Sequence, residues 1–262
     1  MNSVLDHYAS LLAPLYSWMA GGAEAALARG EAELDSLRLT PRSTALAVDL
    51  GAGFGMHSIP MARRGFDVLA VDSSPELLRE LQAHAGELPI QAVVADLLSF
   101  PDHVAGSPEA FLCMGDTLAH LPSKQAIESL FSKIATALAP GGLFVSTFRD
   151  YATPLTGERR FIHVRSDADR ILTCFLDYEN EYVNVYDLVH ERQGQRWIQR
   201  VSGYRKVRLT PEWVSAALRD AGFHVTQESG PSGMVRLVAR IRRSTSRSGA
   251  RPRELERDLE RN

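Results

Sequence analysis

The sequence predicts an α/β protein: a doubly wound, mostly parallel sheet with a small antiparallel sheet inserted near its end. Three observations predict it. Between residues 46 and 148, short runs apolar on both faces alternate with amphipathic helical stretches, the pattern of a parallel sheet covered on both sides. A glycine-rich turn, Gly51-Ala52-Gly53-Phe54-Gly55, follows the first apolar run directly. Between Arg160 and Leu209 the rhythm changes to alternating apolar and polar residues, split by Asp-, Asn- and Gly-containing breaks. That pattern reads as three or four antiparallel strands.

The elements follow in order. Residues 5–37 have helical spacing, with apolar and aromatic positions from Leu5, Tyr8 and Leu11 to Trp18 and Met19, and breaks at Pro14 and Gly21-Gly22. ALAVDL is the first strand, MHSIPMARR a helix with Pro60 near its start, and VLAVD the second strand. SPELLRELQAHAG is an amphipathic helix with Pro75 in its first turn and a glycine at its end. IQAVVAD, EAFLCMGD and GLFVSTFRD supply three more strands. Between the last two lies SKQAIESLFSKIATALAPGG, a helix closed by Pro140 and two glycines. FIHVRSD, RILTCFLDYE, YVNVYDLVHERQ and RWIQRVSGYRKVRL form the inserted sheet, after which TPEWVSAALRDAG, FHVTQE and MVRLVARIRR resume the α/β pattern. The expected organisation is a helical cap over 1–40, a main domain over 41–150 and 210–243, the insert over 151–209, and a charged tail over 244–262. The tail has almost no apolar residues and reads as disordered or a frayed helix.

Composition excludes several classes. At 262 residues with 45% hydrophobic content, the chain can bury a full core. A formal net charge of −3 argues against a nucleic-acid partner held by bulk electrostatics. No run reaches the roughly 18–20 apolar residues of a membrane span. The N-terminus lacks a basic start and carries Asp6, which makes a poor signal peptide. A soluble cytoplasmic protein, monomer or homodimer, is the expectation. Cys113 and Cys174 form no disulfide or metal-ligand pattern and sit in apolar runs, so both read as buried inert thiols.

The glycine turn raises the question of a ligand. Glycines let a strand fold sharply into a helix and let a ligand touch backbone, although a tight turn alone needs them too. The dinucleotide fingerprint places its third small residue one position later than Gly55, and Met56 stands there instead. Asp49, two residues before Gly51, would repel a phosphate and suits a cationic group. The spacing therefore favours a cofactor with an amine or sulfonium and no phosphate. Asp72 ends the second strand at about the distance that brings an acid to ribose hydroxyls, which a carboxylate can accept from. Asp96 ends the third strand, where it could accept from an adenine amine. Each acid alone could also cap a helix. Three acids at three successive strand ends make capping a poor account of all of them.

DLGAGFG, VDSS, VVAD, MGDTLAHL and LAPGG, in that order, resemble the motifs of class I S-adenosylmethionine-dependent methyltransferases. The resemblance covers residues 44–148 closely and resumes over 210–240. The inserted sheet most resembles the small-molecule branch related to glycine N-methyltransferases, where it covers the substrate cavity. The resemblance implies S-adenosylmethionine as cofactor, with S-adenosylhomocysteine as product. It implies that Asp49, Gly51, Ala52, Gly53 and Gly55 face the methionine and ribose end and that Asp72, with Ser73, takes the ribose hydroxyls. It implies that Asp96 and Leu97 meet the adenine, and that Met114, Gly115 and Asp116 lie close to methionine and substrate. No Asn-Pro-Pro-Tyr type signature follows the fourth strand, and no metal-binding acid set of the catechol type is present. Nucleic-acid and protein-glutamine substrates and a metal are therefore not expected.

Methyl transfer from a sulfonium is a direct displacement, so the protein must align a nucleophile and exclude water, and supply a base if the acceptor is a hydroxyl. His120 is the leading base candidate, with local packing as its plain alternative; Asp116 is a second polar contact or a turn residue. Arg149 could clamp a substrate carboxylate or form a surface ion pair, and Asp150 and Tyr151 stand on the same edge. Tyr16, with Tyr8 and Trp18, could close the cavity around a sulfonium by cation–π contact or simply pack on the domain. On the insert, Phe161, His163, Arg165, Tyr178 and Tyr204 are lid candidates, of which alternation lets only some face the cavity. Three other readings remain. One is a non-catalytic cofactor-binding module, and a second is an enzyme that uses a bound sulfonium's charge for another reaction. The third is an NAD-linked oxidoreductase, disfavoured by Met56, Asp49 and the lack of a Tyr-x-x-x-Lys pair.

Overall fold

The computed structural model describes residues 3–241, so the tail from Ser244 lies outside the described residues. Two sheets organise the chain. The first has seven strands in the order β10-β11-β5-β4-β1-β2-β3. Its strands are β1 (Leu46–Leu50), β2 (Asp67–Asp72), β3 (Ile90–Val94), β4 (Ala110–Cys113), β5 (Leu143–Phe148), β10 (Phe223–Ser229) and β11 (Val235–Ile241). β1 to β5 pair in parallel, while β11 runs antiparallel to both β5 and β10. The second sheet is antiparallel, β6 (Phe161–Ser166), β7 (Arg170–Tyr178), β8 (Tyr182–Gln193) and β9 (Arg196–Val207), in sequence order. The insert is thus four strands, placed in the chain between β5 and the last helix.

The central strands are apolar on both faces because helices cover both. Val48, Leu50, Phe111 and Phe144 bury one face with Phe131 and Ile134 of α6 (Lys124–Ala137) and Val214 and Leu218 of α7 (Pro211–Asp220). Ala47, Leu112 and Val145 bury the other with Leu34 of α3 (Ala23–Leu37) and Met61 of α4 (Ser58–Arg63). Helix α5 (Pro75–Ala85) starts as its sequence predicts, with Pro75 in first place and Ser74 Oγ accepting from the Leu77 amide at 3.3 Å.

Residues 4–37 are helical, but in two parts with different partners. Helix α3 belongs to the main layer. Its Gly30 lies so close to the loop after β1 that an added Cβ would stand 1.9 Å from the Met56 carbonyl oxygen. The helix can dock there only because that side chain is missing. Gly30→Ala is expected to cost about 1–3 kcal/mol through overpacking, read as a lower midpoint in thermal unfolding; an unchanged midpoint would mean the helix slides freely.

The first part, residues 4–19, packs on the second sheet through Leu11 and Leu15 against Leu172 and Val189. Pro14 does not end the helical path here. Helix α1 (Val4–His7) widens into a π turn over Tyr8–Leu12 and tightens into a 3₁₀ turn over Ala13–Leu15 before α2 (Tyr16–Met19). The change of winding absorbs the missing proline N–H and its clash with the preceding turn. The true break is Gly21-Gly22, both at φ 94°.

Candidate active site

Chain order reverses between β1 and β4, because the chain runs outward through β2 and β3 and then returns to β4 and β5. In such a sheet the ligand crevice opens outside the carboxyl ends of the two strands that flank the reversal. The glycine turn leaves β1 there and the turn over 114–120 leaves β4. They touch: a Cβ on Gly51 would meet Thr117 Cγ2 at 2.4 Å. Gly53, at φ 54°, has nothing within 4 Å of where its Cβ would be. Its open side faces a cavity of about 760 Å³ bounded by Gly51, Gly53, Asp72 and Asp96 on one side and by Tyr8, His120 and Tyr182 on the other.

The two acids at the mouth are held by backbone. Asp72 Oδ2 accepts from the Gly53 amide and Oδ1 from the Ser74 amide, both at 2.8 Å. Those bonds favour its charged form, but burial outweighs them and raises its pKa. Each oxygen keeps a lone pair for a hydroxyl donor. Asp96 does cap a helix, accepting from the Leu98 amide at 2.7 Å, and still lines the cavity beside Leu97. For Asp96 the capping and ligand readings are therefore compatible.

Tyr16 and Ser73 also line the cavity. Several other expected residues do not. Asp49 is 1% exposed and accepts from Ser58 Oγ at 2.6 Å, beneath the glycine turn, with its pKa raised by burial. Gly55 faces Leu81 and Ile59, and Ala52 is buried among Ile59, Ala70 and Leu78. Met114 is packed with Leu112 and Val145, and the Gly115 amide donates to Thr147 Oγ1 at 2.8 Å. These residues shape the floor from behind.

Asp116 is likewise no free carboxylate. It sits at φ 74° and is 3% exposed, with Oδ1 accepting from the Arg149 amide at 2.9 Å. Its Oδ2 accepts from Tyr151 OH at 3.1 Å and from Lys206 Nζ at 2.6 Å. Tyr151 is therefore buried at the root of the lid rather than set against a substrate, and the Arg149 side chain is exposed outside the cavity. Burial alone would lower the Lys206 pKa, but Asp116, with Tyr151, Tyr204 and Tyr8, holds it well above the usual lysine value.

His120 closes the 3₁₀ turn Thr117–His120 and lines the cavity. Tyr8 meets its ring edge-on at a centroid distance of 5.7 Å and Tyr204 at 5.5 Å. Its Nε2 is buried and has no hydrogen-bond partner. Burial first, then the charge of Lys206 and then His7, push its pKa well below the usual histidine value. The ring is a neutral imidazole at neutral pH.

The lid contributes through β9 and the start of β8. Tyr182, Arg205 and Val207 line the cavity, and Tyr204 stands behind His120. Phe161 and His163 are exposed on the outer strand, and Arg165 lies over the Trp18 ring at 5.7 Å. Trp18 itself donates to Asp167 Oδ2 at 2.6 Å, away from the cavity. Tyr178 packs edge-on against Tyr151 at 6.3 Å. Lys206, Tyr182 and Arg205 escaped the sequence reading. Strand alternation puts Lys206 on the same face as Tyr204, and a lysine sharing a buried face was the available signal. Both thiols are inert as expected: burial raises Cys113 strongly and Cys174 to about 12. Among the described residues, no group of three His, Cys, Asp or Glu side chains could hold a metal, and no helix is long and apolar enough to cross a membrane.

Comparison with known proteins agrees with this geometry. Residues 47–142 match the family described as a methyltransferase domain. The chain is similar to the ubiquinone biosynthesis O-methyltransferase of Xylella fastidiosa (strain 9a5c), 35% identical over 194 residues that cover 72% of this chain and 65% of that protein. It is also similar to the glycine/sarcosine/dimethylglycine N-methyltransferase of Actinopolyspora halophila, 23% identical over 66% of this chain and 33% of that protein. In both cases the match spans less than two thirds of the relative's length. In fold, it is similar to a S-adenosylmethionine-dependent methyltransferase from Clostridium acetobutylicum ATCC 824, with TM-score 0.68, 14% identity and coverage of 87% of this chain and 97% of that one.

Proposed function

We propose that the chain carries a methyltransferase domain of the class I, S-adenosylmethionine-dependent kind, a reading supported by the matched family and the fold, and that it methylates an N, O or S atom of a small molecule. A hydroxyl oxygen is the acceptor the site suits best. The observation that carries this is the single cavity that runs from Asp72 and Asp96 to an uncharged His120. The residues fit the cofactor: Gly53 leaves open the space its Cβ would fill, Asp72 keeps acceptors for two ribose hydroxyls, and Asp96 with Leu97 borders the adenine end. When bound, that cofactor supplies an electrophilic methyl group on a sulfonium.

The chain's own residues do the rest. Tyr8, Tyr16 and the lid strand enclose the acceptor half and keep water out. Val4, Leu121 and Val207 give that half an apolar lining that accepts a hydrophobic acceptor body. His120 Nε2 takes the acceptor's proton, which fills the one hydrogen-bonding position left empty on that buried atom. Neither a silent binding module nor an NAD-linked oxidoreductase is favoured, since the matched family and the relatives above are methyltransferases. We place the protein in the cytoplasm, as a monomer or homodimer with no nucleic-acid partner.

Incubation with methyl-labelled S-adenosylmethionine and a host-cell metabolite extract, followed by mass fractionation, tests the reading. A labelled small molecule is expected; cofactor bound but never consumed would return the binding module. Asp72→Asn removes the charge and replaces one of the two accepting oxygens with an NH2 that cannot accept. It is expected to weaken S-adenosylhomocysteine binding by about 1.5–3 kcal/mol, measured by titration calorimetry. Unchanged affinity would take Asp72 out of the ribose site.

A further inference from the structure

Three separate parts of the chain meet around His120. Tyr8 comes from the N-terminal segment, Asp116 from the turn after β4, and Tyr204 and Lys206 from β9. Lys206 Nζ lies 2.6 Å from Asp116 Oδ2 and 5.7 Å from the centroid of the Tyr204 ring. Tyr204 in turn packs edge-on against His120. Both members of the ion pair are buried, at 9% and 3% exposure.

An ion pair is a costly way to join two elements in such a place. Two apolar residues of similar volume often hold a core equally well or better, so stability alone does not account for it. The location of the pair does. Asp116 stands immediately before the 3₁₀ turn that ends in His120, and its carboxylate gathers the Arg149 amide, the Tyr151 hydroxyl and the Lys206 ammonium. Lys206 stands between Arg205 and Val207, the two lid residues of β9 that line the cavity. One bond therefore couples the turn bearing the imidazole to the strand bearing the acceptor wall.

We infer that Lys206 is a positioning residue for His120: through Asp116 it fixes the turn that carries the ring, and it holds its ammonium over the Tyr204 ring that packs edge-on against the imidazole. The inference rests on reading His120 as the acceptor-side base. The groups facing the ring support it. From β9 come the Lys206 cation and Tyr204; from the N-terminal segment, Tyr8 and His7, the latter bonded to Asp187 of β8 at 2.9 Å; from its own turn, Asp116, already committed to Lys206. After burial, Lys206 is the largest influence pushing the His120 pKa down, and His7 pushes the same way.

Histidine titration by NMR tests this without any acceptor. The ring proton signals of the full-length protein are followed from pH 8 to pH 5, and His120 is assigned by its loss in His120→Gln. Wild-type His120 is expected to stay neutral well below pH 6.5, the ordinary value for histidine. Lys206→Met/Asp116→Asn removes both charges together, which spares the fold an unpaired buried ion. In that variant the His120 midpoint is expected to rise by about one pH unit or more, a tenfold or larger change in proton affinity. A purely structural pair would leave the midpoint where it was, and that result, or a wild-type His120 titrating at the ordinary value, overturns the inference. S-adenosylhomocysteine binding is measured on the same samples. A shifted midpoint without cofactor binding would count against the methyltransferase reading and leave the Lys206–His120 coupling standing; binding with an unmoved midpoint would do the reverse.

Discussion

His120→Gln is expected to lower kcat for methyl transfer to a hydroxyl acceptor by about 100- to 10,000-fold, the usual worth of a positioned base, while the Kd for S-adenosylhomocysteine stays near wild type. Glutamine keeps a polar end of similar reach but cannot take a proton. The wild-type pH dependence follows from the same ring. On the proposed reaction free-base imidazole is the working form, and burial with Lys206 lowers its pKa. Activity should therefore hold its plateau below about pH 6.5 and fall only as the pH passes the depressed value. Folding stability follows the same sign. The unfolded chain takes up the proton first, so the folded state loses stability as the pH drops below about 6.5, and His120→Gln lacks that loss. An amine or thiol acceptor needs no such base, and equal kinetics in wild type and variant would move His120 to a packing role.

Asp116→Ala is expected to be the most destabilising single change in the site, at about 3–5 kcal/mol. It strands the buried Lys206 ammonium and removes the acceptor of the Arg149 amide and the Tyr151 hydroxyl. For a chain of this size that corresponds to a fall of roughly 10 °C in the thermal midpoint. The double replacement Lys206→Met/Asp116→Asn should recover most of it, since taking both charges away removes the cost of leaving either one unpaired. In the cycle of Asp116→Asn, Lys206→Met and their double variant, additive losses would mean that the two side chains do not act as a pair.

Most of the fold was legible because its signals are local. A strand apolar on both faces, such as Leu46–Leu50, and a proline followed by an amphipathic run, as at Pro75, carry their structure in their own few residues. Pro14 shows the limit of that reasoning: a proline predicts trouble for a helix but not whether the chain stops or changes its winding. The cavity lining was legible where backbone spacing decides it, as at Gly53, Asp72 and Asp96. It was not legible where a partner decides it. Asp49 turns inward because Ser58, on the next helix, offers it a hydroxyl. Asp116 is consumed by Lys206, 90 positions further along the chain. Nothing near Asp116 in sequence carries that information, because the pairing is made only when the lid folds back onto the sheet.

The register of the β8–β9 hairpin reaches further than its own sheet. The two strands pair without a slip from Gln193↔Arg196 to Tyr182↔Val207. Their two-residue link begins with Gly194 at φ 63°, in the first central position that favours glycine in a type II′ turn. At ~3.4 Å per residue, Lys206 lies roughly 35 Å from that turn, yet the turn decides which way Lys206 points. A one-residue slip there would exchange the two faces of β9. Arg205 and Val207 would leave the cavity wall, and the ammonium would turn from Asp116. The protein thus stores the alignment of Lys206 with Asp116 in a surface bend with no chemistry of its own. A lineage that altered the bend's length would change the cavity wall and the charge around His120 in one step, with every residue of the site still in place in the sequence.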